Sequence, residues 1–313
     1  MARVCVDWFP MGTFHGQKKP GFHMDNQLKE NLDVIVQNIV DDWDFTIIVS
    51  GKGLVRTGKS VLSGQIACYF AYEIERVHGK KIYLDREQLK NWVFTGQDLI
   101  KVGNWLGKDY PYSPLIYDEA GSDLQARTTM SRSTQEVLNY FRECGQYNLI
   151  NILVLPDFFE LPKSIAVTRS IFLIDVYHTA TGDGKFIRGF YKFYNRKKKK
   201  ELYLKGKKDL NYDVVKSDFD GRFFDIHIMN EETYRKKKRD ALKEREKVST
   251  REVKYREILK IAFRDKKDLH NMTLRETAKY FTERSGVKIS HVFVADVMDL
   301  PKQEVQTEEG DDI

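Results

Sequence analysis

The chain has 313 residues, of which 41% are hydrophobic and 31% are charged, and its formal net charge is +6. That length can supply one large core and a smaller module. We expect no membrane span, because no apolar run approaches roughly 20 residues, and no secretory signal at the N-terminus. Three scattered cysteines form no C-x-x-C pair, which argues against a disulfide framework or a zinc site and indicates a reducing compartment, the cytoplasm.

Residues 1–44 are predicted to form a lead-in to the main domain. Glycines and a proline make its first part irregular. Residues 26–40 then have the period of an amphipathic helix. We expect this helix to cover an edge or a face of the following sheet, through its apolar side: Leu28, Leu32, Ile35, Val36 and Ile39.

Residues 53–60 fit the pattern G-x-x-x-x-G-K-[ST], which is typical of the phosphate-binding loop (Walker A) of nucleoside triphosphatases. The glycines let the backbone turn its N–H groups toward phosphate oxygens, while the lysine reaches the β- and γ-phosphates and the serine hydroxyl ligates Mg²⁺. A buried strand at 45–49 and a helix at 60–78 give the motif its required context. The predicted nucleotide-binding residues are Gly53, Arg56, Thr57, Gly58, Lys59, Ser60 and Val61.

The chain then alternates between predicted strands and helices. Short apolar pieces at 81–84 and 92–94 are ambiguous, Thr95 begins a helix, and residues 114–118 form a buried strand. A helix at 131–146 precedes a strongly apolar strand at 148–155. This alternation predicts an α/β fold with a mostly parallel sheet covered on both faces.

Two acids end the strand at 114–118, in the position of a Walker B motif. Asp118 is predicted to hold Mg²⁺ directly or through water, and Glu119 to orient and activate the attacking water as a general base. An Asp-Glu dipeptide is common on solvated surfaces. Its position after apolar residues, about sixty residues beyond a phosphate loop, favours catalysis.

After residue 170 the pattern of alternating strands and helices ends. Apolar runs at 171–177 and 186–194 flank a glycine-rich turn, which predicts a β-hairpin appended to the parallel sheet, and residues 201–204 suggest a further strand. Basic clusters at 197–200, 205–208 and 235–239 indicate either solvated surfaces or a polyanionic partner. The ATPase domain is predicted to span residues 45–230.

The C-terminal part is predicted to be helical. A charged linker helix occupies 231–250, and a capping-box pattern from Ser249 to Glu252 opens a helix at 253–264. Thr273 and Glu276 form a second such pattern ahead of a helix at 274–284. Ser290 caps a helix at 291–300, and an acidic tail occupies 302–313. The module at 251–301 resembles a helix-turn-helix, and either DNA or protein is its predicted partner.

Four arginines are candidates for the positive finger that meets a hydrolysed γ-phosphate, often from a neighbouring subunit. Arg142 precedes the apolar strand at 148–155, and Arg169 precedes the hairpin. Arg56 and Arg127 are weaker candidates. For each arginine alone, pairing with a surface carboxylate is the simpler interpretation.

Together, the phosphate loop, the Asp118-Glu119 strand, Arg142 with Gly145 and the next apolar strand resemble the additional-strand, catalytic-glutamate P-loop ATPases. Within this class the order resembles the FtsK/HerA branch, which includes DNA translocases, viral genome-packaging ATPases and Zot-like phage proteins. The resemblance covers residues 45–195 and implies ATP and Mg²⁺ as cofactors and a homo-oligomer, commonly a hexameric ring. This branch often places a polar sensor such as Gln after that strand, where Asn151 or Asp157 could substitute.

The predicted function is that of an ATP-hydrolysing motor of phage, plasmid or archaeal mobile-element type that translocates, packages or remodels DNA, duplex more than single-stranded. Alternatives are a Zot-like phage assembly ATPase, a replication initiator or helicase-loader-like ATPase, and a kinase-like enzyme with a small-molecule substrate. The predicted DNA contacts are Lys197, Lys198, Lys199, Lys200, Lys207, Lys208, Arg275, Lys288 and His291.

Overall fold

The structure of the chain is a computed structural model that describes residues 5–6, 22–53, 56–120, 124 and 132–298. The chain divides into two compact units, Met1–Lys238 and Arg239–Ile313. The predicted acidic tail, most of the irregular lead-in and Arg127 lie outside the described residues.

A mostly parallel sheet forms the centre of the first unit, which confirms the predicted α/β class. Within the described residues this sheet has seven strands in the order β4-β5-β6-β3-β7-β8-β9. The first five strands in this order, from β4 through β3 to β7, run parallel. Strands β8 and β9 extend the sheet by antiparallel pairing. The strands are β3 (Phe45–Ser50), β4 (Trp92–Val93), β5 (Pro114–Asp118), β6 (Ile150–Val154), β7 (Phe172–Ala180), β8 (Phe186–Tyr194) and β9 (Phe219–Arg222); a separate antiparallel pair joins β1 (Cys5–Val6) and β2 (Met24–Asp25).

Strand β6 lies between the strand that leads into the phosphate loop and the strand that ends in the acidic pair. Ile152 of β6 is aligned with Ile47 of β3 on one side and with Ile116 of β5 on the other. This is the additional strand that the sequence resemblance implies. Since all three strands are parallel, their carboxyl ends meet at one edge of the sheet, where open α/β sheets place their ligands.

Helices cover both faces of the sheet. The buried residues Ile48, Leu115 and Leu153 pack in one cluster with α3 and α4, while α2 contacts β3, β5 and β6. Helix α1 packs on α2, and His78 Nε2 is hydrogen-bonded to the carbonyl of Val36 at 2.8 Å. The helices of this unit are α1 (Asn26–Asn38), α2 (Lys59–His78), α3 (Gly96–Asp109), α4 (Arg132–Glu143) and α5 (Arg196–Gly206), with short helical turns at Cys144–Tyr147, Phe158–Glu160 and Ser164–Arg169.

The strand predicted at 201–204 is wrong, because this segment belongs to α5. Asn195 caps that helix by accepting a hydrogen bond from the N–H of Lys198, and Leu202 and Tyr203 turn into the core as neighbours on one helix face. A three-residue apolar run cannot distinguish a buried helix face from a strand.

The second unit is helical and has its own apolar core. Helix α6 (Glu231–Arg264) contains the boundary between the units, and it continues through Ser249, so the predicted helix start there is wrong. The capping box of Thr273 and Glu276 opens α7 (Leu274–Ser285), as predicted, and Ser290 caps α8 (His291–Val297). The core of this unit comprises Phe263, Leu274, Ala278, Val294, Ala295, Val297 and Met298.

Across the described residues, no helix is both long and apolar enough to cross a membrane.

Candidate functional site

The described residues of the loop between β3 and α2 include both glycines of the predicted phosphate-binding motif, and each has a positive φ. Gly58 is the N-cap of α2 with a φ of 97°, which L side chains rarely adopt, and a Cβ built there would lie 2.9 Å from the ring of Phe223. Gly53 also has a positive φ, of 71°, and its N–H donates to the carbonyl of Pro156 at 3.1 Å. Leu54 and Val55, between these glycines, lie outside the described residues.

Helix α2 begins at this loop without a side-chain cap. A helix N-terminus carries N–H groups without intrahelical partners and the positive end of the dipole, which together bind anions. Burial lowers the pKa of Lys59, and the carboxylates of Asp118 and Glu119 act in the opposite direction. The first turn of α2 therefore provides the donors and the cation that phosphates need.

The acidic pair lies directly beside this loop, as the sequence predicted. Asp118 ends β5 and is 3% exposed, and the Ser60 hydroxyl donates to its Oδ2 at 2.7 Å. The Glu119 N–H donates to Asp118 Oδ1 at 3.0 Å. Glu119 has a φ of 66°, and a left-handed backbone in a non-glycine residue is a strain that is frequent at active sites.

The side-chain oxygens of Ser60 and Asp118 fit a magnesium ion that is also coordinated by a nucleotide. Ser60 and Asp118 offer a hydroxyl and a carboxylate, the hard donors that Mg²⁺ prefers. Among the described residues no group of three or more His, Cys, Asp and Glu side chains could hold a metal alone. A divalent ion here would take its remaining ligands from phosphates and water, as in other phosphate-loop sites.

Two further residues reach this site from the start of α6. The Tyr234 hydroxyl lies 2.9 Å from Ser60 Oγ and donates to Asp118 Oδ2 at 2.7 Å. The Lys238 ammonium forms an ion pair with the Glu119 carboxylate. Sequence analysis missed both residues, because they lie more than 110 positions from the acids in a segment whose pattern shows only a charged helix.

The three candidate arginines among the described residues differ in their surroundings. Arg169 forms an ion pair with Asp44 and donates to Cys144 Sγ at 3.2 Å, so its guanidinium is held at the start of β3, the opposite end from the phosphate loop. Arg142 is exposed and donates to Asn139 Oδ1 at 3.1 Å. Arg56 is exposed in the phosphate loop itself. Arg142 and Arg56 thus remain accessible to a neighbouring molecule.

The two candidate sensors also differ. Asn151 is buried in β6, where it accepts a hydrogen bond from the Tyr140 hydroxyl at 3.3 Å and contacts Cys144, so it serves the core. Asp157 follows β6 at the carboxyl edge and accepts a hydrogen bond from the Tyr212 hydroxyl at 2.6 Å. Of the two, Asp157 is the one near the phosphate loop.

The lysines predicted to grip DNA are not equivalent, and Lys199 is a correction. Its side chain is fully buried, and its ammonium donates to the carbonyls of Ala166 and Ser170 at 2.7 and 2.6 Å. Burial lowers the pKa of Lys199 to about 7. This lysine caps the carbonyls that end the turn at Ser164–Arg169 and cannot contact a phosphate in this fold.

The other predicted contacts in this region lie nearer the surface. Lys198 pairs with Asp218 at 3.1 Å, and Lys207 donates to the carbonyl of Leu161 at 3.2 Å. Three of the predicted lysines are exposed on or just after α5: Lys197, Lys200 and Lys208.

In the second unit, Arg275 and Lys288 are exposed and His291 is half-buried. Helix α8, the predicted recognition helix, exposes Val292 and Phe293, and its Asp296 pairs with Arg256 at 3.2 Å. An apolar and acidic face of this kind is more typical of protein binding than of DNA reading.

No protein-family model matches the chain, and no curated protein matches it. Solved structures do. The chain is similar to the genome packaging NTPase B204 of Sulfolobus turreted icosahedral virus 2 in complex with AMP, with 16% identity over 50% of this chain and 94% of that chain and a TM-score of 0.32. It is also similar to the N-terminal domain of zonular occludens toxin from Neisseria meningitidis, with 10% identity over 61% of this chain and 97% of that chain and a TM-score of 0.37. At these levels of similarity, the geometry of the site itself is the basis for assigning a function.

Proposed function

We propose that the chain is a Mg²⁺-dependent ATPase that uses hydrolysis to move, package or remodel DNA. The observation that carries the ATPase assignment is the 2.7 Å contact between the Ser60 hydroxyl and the Asp118 carboxylate. It brings the end of the phosphate loop and the tip of the acidic strand, 58 residues apart in the chain, into one site.

In this proposal each side chain has one task. Lys59 and the N–H groups at the start of α2 would bind the β- and γ-phosphates, and Ser60 with Asp118 would hold the metal ion. When bound, that ion would supply positive charge to offset the charge that develops on the phosphate oxygens. Glu119 accepts a hydrogen bond from the attacking water and orients it toward the γ-phosphate, for which its place one residue beyond Asp118 is suited.

Exposed positive charge supports the further proposal that the ATPase acts on DNA. Lys197, Lys200 and Lys208 are exposed in one basic stretch, where each could replace a counterion on a phosphate backbone. We also infer a homo-oligomer, in which Arg142 is better placed than Arg169 to act as a finger toward a neighbour's nucleotide, because Arg169 is paired with Asp44. The apolar and acidic surface of α8 favours the assembly alternative, in which the second unit binds protein.

The test is the steady-state rate of phosphate release with and without duplex or single-stranded DNA. We expect DNA to stimulate the wild-type chain. Glu119→Gln should lower turnover by about 10²- to 10⁴-fold, because the amide can no longer accept a proton from the attacking water, while ATP still binds. Phosphate release and equilibrium binding of a fluorescent ATP analogue measure the two effects separately.

Glu143→Gln serves as the matched control, since this exposed carboxylate at the end of α4 undergoes the same chemical change. It should leave turnover unchanged. Wild-type-like turnover in Glu119→Gln would show that the catalytic assignment is wrong. If DNA does not change the rate of ATP turnover, the proposed DNA motor is wrong and the proposed ATPase activity stands.

A further inference from the structure

The segment from Asn230 to Lys238, which we name the α6 latch, belongs to the first unit and contacts residues 86–94 of that unit. The Asn230 N–H donates to the carbonyl of Arg86 at 2.9 Å, and the Lys237 ammonium donates to the carbonyl of Leu89 at 2.8 Å. The Tyr234 ring packs against Phe94 with centroids 5.7 Å apart. These contacts fix the start of α6 against the chain that leads into α3.

The latch contacts the three side chains that the proposed reaction needs most. The Tyr234 hydroxyl is within hydrogen-bond distance of both Ser60 Oγ and Asp118 Oδ2, at 2.9 and 2.7 Å. These are the two atoms assigned to the metal ion. A tyrosine hydroxyl in that position satisfies the oxygens that would otherwise face a cation, and it occupies space that the ion and its water ligands require.

Lys238 completes the arrangement by charge. Its ammonium forms an ion pair with the Glu119 carboxylate. A carboxylate engaged by a lysine is a poorer acceptor for the attacking water.

We propose that the α6 latch is an autoinhibitory element that holds the site closed to Mg²⁺ and keeps Glu119 from its water. This inference rests on the proposed ATPase function. Binding of Mg²⁺ and ATP requires Tyr234 to leave Ser60 and Asp118, and hydrolysis requires Lys238 to leave Glu119. Helix α6 continues past Lys238 into the second unit of the chain, so a partner of that unit could bias the latch toward release.

The exposure of the latch contacts suits a reversible element. The side chains of Lys238 and Glu119 are 32% and 30% exposed, and ion pairs open to solvent contribute little stability. Single hydrogen bonds such as those of Tyr234 are also modest. A ligand or partner can therefore displace the latch without unfolding the unit.

The test uses the full chain carrying Tyr234→Phe together with Lys238→Met. Phenylalanine keeps the ring on Phe94 and removes only the hydroxyl, and methionine keeps the length of the lysine stem and removes its charge. Equilibrium binding of a fluorescent ATP analogue is titrated with and without Mg²⁺. We expect the double variant to bind the Mg²⁺ complex about tenfold more tightly, because binding no longer has to displace the Tyr234 hydroxyl and the Lys238 ion pair. Phosphate release without any partner should rise in parallel.

Lys236→Met is the matched control, because this exposed lysine of the same helix loses the same charge. It should bind and hydrolyse like the wild type. If the double variant fails to fold, Tyr234→Phe alone replaces it in the test. Its melting temperature shows whether it is folded. It should show a smaller gain in Mg²⁺-dependent binding than the double variant.

The failures of the latch and of the ATPase are distinguishable. Lys59→Ala reports whether binding uses the phosphate loop at all. Binding that depends on Lys59 supports the ATPase proposal. If the latch variants then bind no more tightly than the wild type, or bind and hydrolyse more weakly, the latch proposal is overturned and the ATPase proposal stands. If neither the wild type nor any variant binds the analogue, both are overturned.

Discussion

Asp175 lies on β7 opposite Ser50, the residue at which β3 enters the phosphate loop, and its side chain is fully buried. Neither carboxylate oxygen has a hydrogen-bond partner among the described residues. Burial raises the pKa of Asp175 to about 7, against the opposing influence of the Lys52, Lys192 and Lys59 cations and with added repulsion from Asp157. A buried carboxylate without hydrogen bonds is a cost to the folded state whenever it is ionised.

The stability of the nucleotide-free chain should therefore depend on pH through Asp175. In the unfolded chain its pKa is near 3.8, so between about pH 4 and pH 7 the folded state holds a proton that the unfolded state has lost. The free energy of unfolding then falls as pH rises across this window and levels off above it, by roughly 4 kcal/mol at most. Asp175→Asn should raise the denaturant midpoint at pH 8 and change it little at pH 5.

Urea unfolding at pH 5, 6, 7 and 8 measures this difference between Asp175→Asn and the wild type. Asp209→Asn, at an exposed aspartate, is the control and should leave the pH profile unchanged. A loss of stability at pH 8 would mean that Asp175 is ionised and held by its lysine neighbours, contrary to the prediction.

At the scale of elements, the contact of α3 with the residues of α4 and the turn that follows depends on two glycines one helical turn apart. Gly103 and Gly107 face Tyr140 and Tyr147, whose rings occupy the space where a glycine has no side chain. A Cβ at Gly103 would lie 2.7 Å from ring atoms of Tyr140, and one at Gly107 would lie 2.5 Å from the Cγ of Tyr147. The sequence shows these glycines only as weak points in a helix pattern.

Gly103→Ala should destabilise the chain by about 1–3 kcal/mol, the usual cost of overpacking. This is the reverse of the gain of about 0.5–1 kcal/mol that alanine normally brings inside a helix. Thermal and urea unfolding measure the change. Gly182→Ala, in the hairpin turn where an added Cβ meets nothing within 4 Å, should be close to neutral. A stabilised Gly103→Ala would show that α3 shifts to accommodate the methyl group.

Elements with a local signal were predictable, and those decided by distant contacts were not. Strand β5 has the bounds predicted, because a mostly apolar run that ends in acid about sixty residues after a phosphate loop is a signal in the local sequence. Residues 201–204 were assigned to a strand because nothing local reveals that Leu202 and Tyr203 pack on the sheet as one helix face. The continuity of α6 past Ser249 shows that a capping-box pattern inside a helix-forming stretch need not begin a helix.

At the scale of the whole molecule, the candidate site separates into a part that the sequence predicts and a part that only the fold reveals. Lys59, Ser60, Asp118 and Glu119 follow from spacing, because a phosphate loop and parallel strands must deliver them to one edge. The contacts of Tyr234 depend on where α6 begins in space, which no short-range pattern encodes. The same holds for charge, since a run of four lysines gives no sign that Lys199 is buried while Lys197 and Lys200 are exposed.

The proposed DNA binding would depend on salt through lysine contacts to phosphates, and the exposed lysines near α5 should carry a defined share of that dependence. Each phosphate contact lowers the logarithm of the binding constant by about 0.9 per unit of the logarithm of salt concentration. Replacing Lys197, Lys200 and Lys208 together by Gln should therefore reduce this slope by up to about 3. Fluorescence anisotropy of a labelled duplex between roughly 50 and 200 mM salt gives the slope.

Two controls separate local contacts from net charge and from folding. The set Lys80→Gln, Lys101→Gln and Lys108→Gln removes the same charge at exposed positions elsewhere on the unit and should leave the slope near that of the wild type. Lys199→Met should lower the melting temperature, because the carbonyls of Ala166 and Ser170 lose their buried donor. At temperatures where that variant is folded, its slope should match the wild type. An equal fall in slope for both triple sets would mean that DNA senses only the overall charge of the unit, and the basic stretch near α5 would lose its assigned role.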